Sequence, residues 1–217
     1  MALYEKQFCW SILLRIFHWM FALAIVFLVT TGFYISFPWS NSMIEGSRAW
    51  PMATMRYIHF VAAYTFSAAV GIRIFLYIFG NRQERILDIL PITARNIKNL
   101  FTTFKLYSYI SDEHDDRLGH NLFAGTSYII TILAACFMII SGFYMLYPEF
   151  PFWQRLGVQL IGSQQWARFL HHCTMWWFLL FVLIHLYFLT WNDIREPEGL
   201  VSSMFTGVKF RHRSGKR

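Results

Sequence analysis

Residues 169–192 read FLHHCTMWWFLLFVLIHLYFLTWN, an uncharged run that decides the fold. A helix needs about 20 consecutive apolar residues to cross the hydrocarbon core of a bilayer, and this run is long enough. Three further uncharged runs cover residues 16–44, 57–72 and 118–148. The run at 57–72 reaches the required length only if Arg73 lies inside the span. We therefore predict four transmembrane helices, near residues 11–38, 54–80, 118–147 and 167–191.

The amino-acid composition is that of a membrane protein. Of the 217 residues, 56% are hydrophobic and 14% are charged, whereas about 25% charged residues are usual in soluble domains. Aromatic residues make up 20% of the chain, a share typical of lipid-facing surfaces with interfacial aromatic belts. We predict an all-α integral membrane protein that forms a single four-helix bundle over residues 1–217 and is surrounded by lipid.

The basic residues lie mainly on one side of the predicted membrane. Fourteen of the 19 Lys and Arg residues fall at the two ends of the chain and between the second and third helices, and four fall on the opposite side. Cytoplasmic loops carry the excess of Lys and Arg, so both termini are predicted to face the cytoplasm. These residues form no stripe with interleaved aromatics, and we therefore expect no nucleic-acid partner.

A shorter amphipathic segment lies between the second and third predicted helices. After Pro91, apolar residues recur at three- and four-residue steps, whereas the basic residues fall on other faces: the apolar set is Ile97, Leu100, Phe101, Phe104 and Tyr107. This spacing predicts an interfacial helix on the cytoplasmic side. A solvated connecting loop is the alternative.

The chain contains an internal repeat. The sequence TGFY at 31–34 corresponds to SGFY at 141–144, and each is followed by a loop and then by an Arg-x-x-His sequence at 56–59 or 168–171. The repeat predicts two related helical hairpins, formed by helices 1–2 and 3–4. Short matches among apolar residues also arise by chance.

Four of the histidines inside the predicted spans lie at depths suited to a buried site: His18, His59, His171 and His185. Ionisable residues in a bilayer mark functional sites by default. His171 and His185 are 14 residues apart, about 40° short of four helical turns, so they share one helix face about 21 Å apart. His172 points about 140° away from His185 on the same wheel. His171 is therefore the better partner of His185 on this face.

Depth in the membrane sorts the four histidines into two pairs. His59 and His171 each lie three residues inside an arginine on the outer side. His18 lies three residues after an inner-side arginine, and His185 lies near the inner end of its helix. The depths pair His59 with His171 and His18 with His185, and each pair bridges two different helices.

Paired imidazoles at two depths of one bundle favour two b-type haems, each held by two histidines. A compact zinc or copper site would usually add other ligands, and the three cysteines form no CxxC pattern. The residues available beside the porphyrins are Gly32, Gly71, Gly125 and Gly142, and the cations available for their propionates are Arg15, Arg56, Arg73 and Arg168. A single histidine could equally be a satisfied polar residue in the bundle.

Two haems at different depths would form an electron relay from an outer donor to an inner acceptor. A membrane acceptor that takes both electrons and protons suggests a quinone near the inner pair. His120 and Asn121, at the inner start of the third predicted helix, offer a protonatable group and an amide. A capping or loop role for these two residues is the alternative.

Several motifs resemble those of one family, the cytochrome b subunits of membrane-bound nickel–iron hydrogenases. They are RIFHW at 15–19, TGFYI at 31–35, MRYIH at 55–59, GNR at 80–82, GHN at 119–121, SGF at 141–143, HHCTMW at 171–176, HLY at 185–187 and SSMFTG at 202–207. The cytochrome b subunits of formate dehydrogenase and thiosulfate reductase are similar more distantly. The four-histidine pattern is common to all of them, whereas the GHN, HHxxMW and SSMxxG elements resemble the hydrogenase branch.

The resemblance implies that His18, His59, His171 and His185 are the axial ligands of two haem b groups. It also implies a bacterial inner-membrane location and a periplasmic hydrogenase whose iron–sulfur small subunit and nickel–iron large subunit are the partners. Hydrogen would be activated by the large subunit, and this chain would pass electrons to the quinone pool. The alternatives are the same module serving a formate dehydrogenase or another periplasmic oxidoreductase, and an anchor or transporter without redox function.

Overall fold

The computed structural model describes residues 4–39, 50–90, 92, 94–108, 110, 122–195 and 199–212. The elements in chain order are β1 (Tyr4–Phe8), α1 (Ile12–Ser36), α2 (Pro51–Phe79), α3 (Ile86–Ile89), α4 (Ala94–Tyr107), α5 (Leu122–Leu146), α6 (Pro151–Leu160), α7 (Gln164–Arg195), α8 (Leu200–Thr206) and β2 (Val208–His212). Four of them, α1, α2, α5 and α7, are long and apolar enough to cross a membrane. The predicted all-α membrane bundle is confirmed.

The four long helices pack as two hairpins. Helix α1 runs along α2, and α5 runs along α7, while α2 and α5 also meet. One core cluster draws buried residues from all four helices, among them Ile25, Val70, Ala135 and Phe178. The arrangement agrees with the repeat in the sequence, because each hairpin contains one TGFY or SGFY segment followed by one Arg-x-x-His segment.

The helix bounds differ from the predicted ones mainly at the ends. Helix α2 begins at Pro51, because proline is well tolerated in the first helical turn, where its missing N–H is not needed. Helix α7 has 32 residues, more than the roughly 20 that a bilayer requires, so it extends beyond the apolar span. The predicted start of the third helix, residues 118–121, lies outside the described residues.

The amphipathic segment between α2 and α5 is helical, as predicted. Helix α4 packs against α5, and the Tyr107 ring at its end stacks on Phe188 of α7 with ring centroids 4.3 Å apart. Phe101 and Phe104 remain 61% and 52% exposed. A helix with apolar side chains left uncovered on one face is suited to the membrane interface.

The two ends of the chain form a small sheet that the sequence did not predict. Strands β1 and β2 are antiparallel, from the Tyr4 and His212 pair to the Phe8 and Val208 pair. Behind the sheet, the Trp10 indole N–H donates to Ser203 Oγ at 3.1 Å. Both ends therefore lie at the same end of the bundle.

A buried carboxylate joins this junction to the turn after α2. Glu84 is only 1% exposed. Its oxygens accept hydrogen bonds from the backbone N–H of Ser11 at 2.8 Å and of Asn81 at 3.0 Å. Hydrogen bonds to a charged acceptor are stronger than neutral ones, so Glu84 holds the start of α1 against the end of α2.

At the opposite end of the bundle, α6 packs on α5. The glycine at position 157 is in contact with the Tyr144 ring, where a side chain would overlap it. The Tyr144 hydroxyl donates to the Gly162 carbonyl at 2.9 Å. This segment is therefore a short helix held on its own bundle.

Candidate functional site

The outer histidine pair lies where the repeated segments meet. His59 on α2 places its Nδ1 2.8 Å from the hydroxyl of Thr31 on α1. His171 on α7 places its Nδ1 2.8 Å from the hydroxyl of Ser141 on α5. The two imidazoles are close enough to interact electrostatically. Each hairpin of the repeat therefore contributes one histidine and one hydroxyl in the same arrangement.

The hydroxyl hydrogen bonds define the tautomer of both outer imidazoles. Thr31 Oγ1 donates to the Phe27 carbonyl at 2.6 Å, and Ser141 Oγ donates to the Phe137 carbonyl at 2.8 Å. Because each hydroxyl donates its proton to a carbonyl, the hydroxyl oxygen accepts a hydrogen bond from the Nδ1–H group of the histidine. We assign the tautomers from this network. Nε2 of each ring is then unprotonated and free to bind a metal.

Two glycines lie directly against the outer imidazoles. A Cβ atom at position 32 would lie 3.6 Å from His59 Cε1, and one at position 142 would lie 3.5 Å from His171 Cε1. Both are ordinary contact distances, so helix packing alone does not require glycine at either position. A flat ring placed beside the imidazoles would require it, which fits the role predicted for Gly32 and Gly142.

The inner pair joins α1 to α7. The ring centroids of His18 and His185 are 6.4 Å apart with an angle of 50° between the planes. Metal–nitrogen bonds of about 2.0 Å to both rings would bring the two centroids roughly 6 Å apart. His18 Nδ1 is buried and has no hydrogen-bond partner among the described residues. The spacing of the pair fits one iron atom held between the two imidazoles.

A buried cation lies on the inner half of the bundle. Arg73 on α2 is 3% exposed, and its Nη1 finds no hydrogen-bond partner in the described part of the chain. Its guanidinium lies over the Tyr77 ring, 4.2 Å from the centroid. Removing an uncompensated charge from water is costly. Arg73 is therefore suited to an anionic group that the chain itself does not supply.

The other three predicted cations are less buried. Arg15 is half-buried, donates through Nη1 to the Phe205 carbonyl, and has a buried Nε without a described partner. Arg56 and Arg168 are exposed. They lie one helical turn before His59 and His171 respectively, so they remain available near the outer pair.

A cluster of three phenylalanines occupies the middle of the bundle, and sequence reasoning missed it. Phe21 of α1 and Phe66 of α2 stack with centroids 4.8 Å apart, and Phe178 of α7 packs at 5.9 Å from Phe66. Phe178 is seven residues from both His171 and His185. This equal spacing places Phe178 halfway between the two histidine pairs along α7. The spacing could have been recognised in the sequence.

Not every predicted residue falls at these sites. Gly125 was expected to make room for a porphyrin, but a side chain there would overlap Ile89, so this glycine serves the packing of α3 on α5. Gly71 has nothing within 4 Å of its Cβ position. The His172 ring lies edge-on to Phe33 of α1, with centroids 6.5 Å apart. His120 and Asn121 lie outside the described residues.

The four long apolar helices define a multi-pass helical membrane protein. Residues 9–207 match the prokaryotic cytochrome b561 family, and the chain belongs to that family. A b-type cytochrome holds haem b, which agrees with the two histidine pairs.

Several relatives are similar over most of their length. A probable Ni/Fe-hydrogenase B-type cytochrome subunit of Cupriavidus necator is 34% identical over 204 residues, covering 90% of this chain and 83% of the relative. The protein with the same name in Rhodobacter capsulatus is 31% identical, covering 89% and 77%. A probable Ni/Fe-hydrogenase 1 B-type cytochrome subunit of Escherichia coli K12 is 27% identical, covering 93% and 89%.

Proposed function

We propose that this chain is the membrane-anchoring, di-haem cytochrome b subunit of a nickel–iron hydrogenase in the bacterial inner membrane. It passes electrons from a periplasmic iron–sulfur subunit across the membrane to quinone. The observation that carries the proposal is the presence of two histidine pairs within one bundle, His18 with His185 and His59 with His171, whose rings interact electrostatically. The relatives named as hydrogenase cytochrome subunits support the choice of partner.

In this proposal each imidazole has a defined task. His59 and His171 would hold the iron of the outer haem, while the hydroxyls of Thr31 and Ser141 hold both rings in orientation. His18 and His185 bind the iron of the inner haem from α1 and α7. When bound, haem b supplies reversible one-electron chemistry. The protein's contribution is to fix the two sites at two depths and to exclude water between them.

The arginines neutralise the propionates in the same proposal. Arg73 and Arg15 serve the inner haem, and Arg56 and Arg168 serve the outer one. The buried, unpartnered Nη1 of Arg73 is the strongest support, because a carboxylate would compensate a charge that the described residues leave unpaired. The exposed Arg56 and Arg168 need less compensation.

Quinone reduction is assigned to the inner end of the bundle. His120 delivers protons from the cytoplasmic side, and Asn121 binds a quinone oxygen. Hydrogen itself is activated in the nickel–iron large subunit, so this chain is an electron-transfer subunit of a hydrogen:quinone oxidoreductase. Both termini face the cytoplasm in this assignment, in agreement with the excess of basic residues on their side.

A reduced-minus-oxidised visible spectrum of native membranes tests the proposal. We expect hydrogen to reduce haem b in wild-type membranes and not in membranes that lack this chain. Formate is the control donor. If formate alone reduces the haem, the chain is still an electron-transfer subunit, but its partner is a formate dehydrogenase and not a hydrogenase. Membranes in which neither donor reduces a haem that depends on this chain would reject the redox function.

A further inference from the structure

The two histidine pairs differ in their hydrogen bonds. Both outer imidazoles donate through Nδ1 to a hydroxyl, His59 to Thr31 and His171 to Ser141. By contrast, Nδ1 of the inner His18 is buried without a partner in the described residues. The difference is built into the repeat, because the hydroxyl stands at the first position of TGFY and of SGFY.

The outer hydroxyls are strong acceptors for a structural reason. Thr31 donates its proton to the Phe27 carbonyl, and Ser141 donates its proton to the Phe137 carbonyl, both within their own helix. Hydrogen bonds arranged in a chain polarise one another. An imidazole that donates through Nδ1 becomes a more electron-rich ligand at Nε2. An electron-rich ligand stabilises the oxidised form of a metal more than the reduced form, and so lowers the reduction potential.

We propose that Thr31 and Ser141 are positioning residues that set the potential of the outer haem below that of the inner haem. The inference rests on the proposed function, because it requires a haem on each histidine pair. The hydroxyls fix the tautomers of His59 and His171 and raise the electron density on their Nε2 atoms. Electron transfer from the outer to the inner haem is then energetically downhill, in the direction from a periplasmic donor to a cytoplasmic-side acceptor.

A redox titration of the purified complex, followed by visible and low-temperature EPR spectra, tests the inference. Thr31→Val and Ser141→Ala remove one hydroxyl each, and we expect the midpoint potential of the outer haem to rise while that of the inner haem stays unchanged. The two variants shift the potential in the same direction, because each removes the hydroxyl acceptor of one outer imidazole. His171→Ala, which loses the outer haem, identifies the outer component of the titration.

The chain offers matched controls. Thr30 is exposed, and its hydroxyl donates only to the Val26 carbonyl of its own helix, so Thr30→Val leaves both potentials unchanged. Ser127 of α5 donates to the Ala124 carbonyl, which makes Ser127→Ala the equivalent control for Ser141. The exchanges Thr31→Ser and Ser141→Thr keep the hydroxyl, as the repeat itself does, and preserve the wild-type potentials.

The outcomes separate this inference from the proposed function. An upward shift of the outer component in either hydroxyl-free variant, beyond the spread of the controls, supports it. Two haems whose potentials are insensitive to both variants overturn it, as does a shift of the inner component instead. A wild-type protein with fewer than two haems would reject the proposed function itself. If Thr31→Val does not accumulate, Ser141→Ala alone still decides between these results.

Discussion

His18, His59, His171 and His185 divide into two structural pairs, and each pair is expected to hold its own haem. His59→Ala and His171→Ala each remove one imidazole of the outer pair, which is the proposed iron ligand. Each also removes the hydrogen bond from that imidazole to a hydroxyl. We expect either variant to lose the outer haem and keep the inner one, and His18→Ala or His185→Ala to do the reverse. Haem content and spectra of the purified variants measure this.

His172→Ala is the control for those variants, because the His172 ring lies against Phe33 and away from the inner pair. It should retain both haems. Loss of the same haem from His59→Ala and from His18→Ala would contradict the pairing.

Replacing Arg73 is expected to affect the haem-free and the haem-bound protein differently. Without an anion, Arg73→Met removes a buried charge that the described residues leave unpaired, so the stability of the apoprotein should not fall. With haem bound, the same change removes one partner of a buried ion pair and weakens haem binding by about 3 kcal/mol. Haem-transfer titrations and thermal unfolding of both forms give the two values. Arg82→Gln, at an exposed position, should change neither.

The pairing of the histidines could be predicted from the sequence, whereas their hydrogen bonds could not. The spacing within α7 and the depths of the arginines were enough to pair the histidines. The hydrogen bonds of Thr31 and Ser141 were not predicted, although both residues stood in the quoted repeat. They depend on how α1 is rotated against α2 and α5 against α7, and the periodicity of a single helix carries no information about its neighbour.

Among the elements, α7 has a special position because it contributes a histidine to both pairs and Phe178 between them. Phe178 is 3% exposed and packs on Phe21 and Phe66. Phe178→Ala should lower the free energy of unfolding by about 3 kcal/mol through the cavity it leaves. Denaturation in detergent micelles measures this loss, and Phe178→Leu, which fills most of the cavity, should lose clearly less. Equal stability of Phe178→Ala and wild type would show that the cluster does not hold the bundle.

The long helices and α4 could be predicted as elements because their apolar patterns are local. The sheet of β1 and β2 could not, since its strands are five residues each and stand at opposite ends of the sequence. Pairing of this kind depends on the bundle bringing the two ends together. The role of Gly125 was misjudged for a similar reason, because its neighbour Ile89 belongs to a short helix that the sequence did not reveal.

At the scale of the whole molecule, the proposed direction of electron flow predicts charge separation. If hydrogen releases its protons outside and the quinone takes its protons inside through His120, turnover makes the cytoplasmic side negative. Proteoliposomes containing the complete hydrogenase complex and quinone, with a voltage-sensitive dye, measure this. We expect hydrogen to generate a potential that an ionophore abolishes.

His120→Ala provides a matched variant for the same assay. It should keep both haems and lower the rate of quinone reduction together with the potential. Turnover of the wild-type complex with no potential at all would place proton uptake and proton release on the same side of the membrane.

The order of the elements, with α7 and β2 following the first three long helices, has a consequence for biogenesis. Both histidine pairs draw one member from α7, and among the described residues β1 pairs with β2. While the ribosome is still synthesising the first three long helices, the nascent protein can offer each iron only one imidazole, and its first strand is unpaired. If the proposed sites hold haem, cofactor insertion and pairing of the two strands therefore follow the synthesis of α7 and β2.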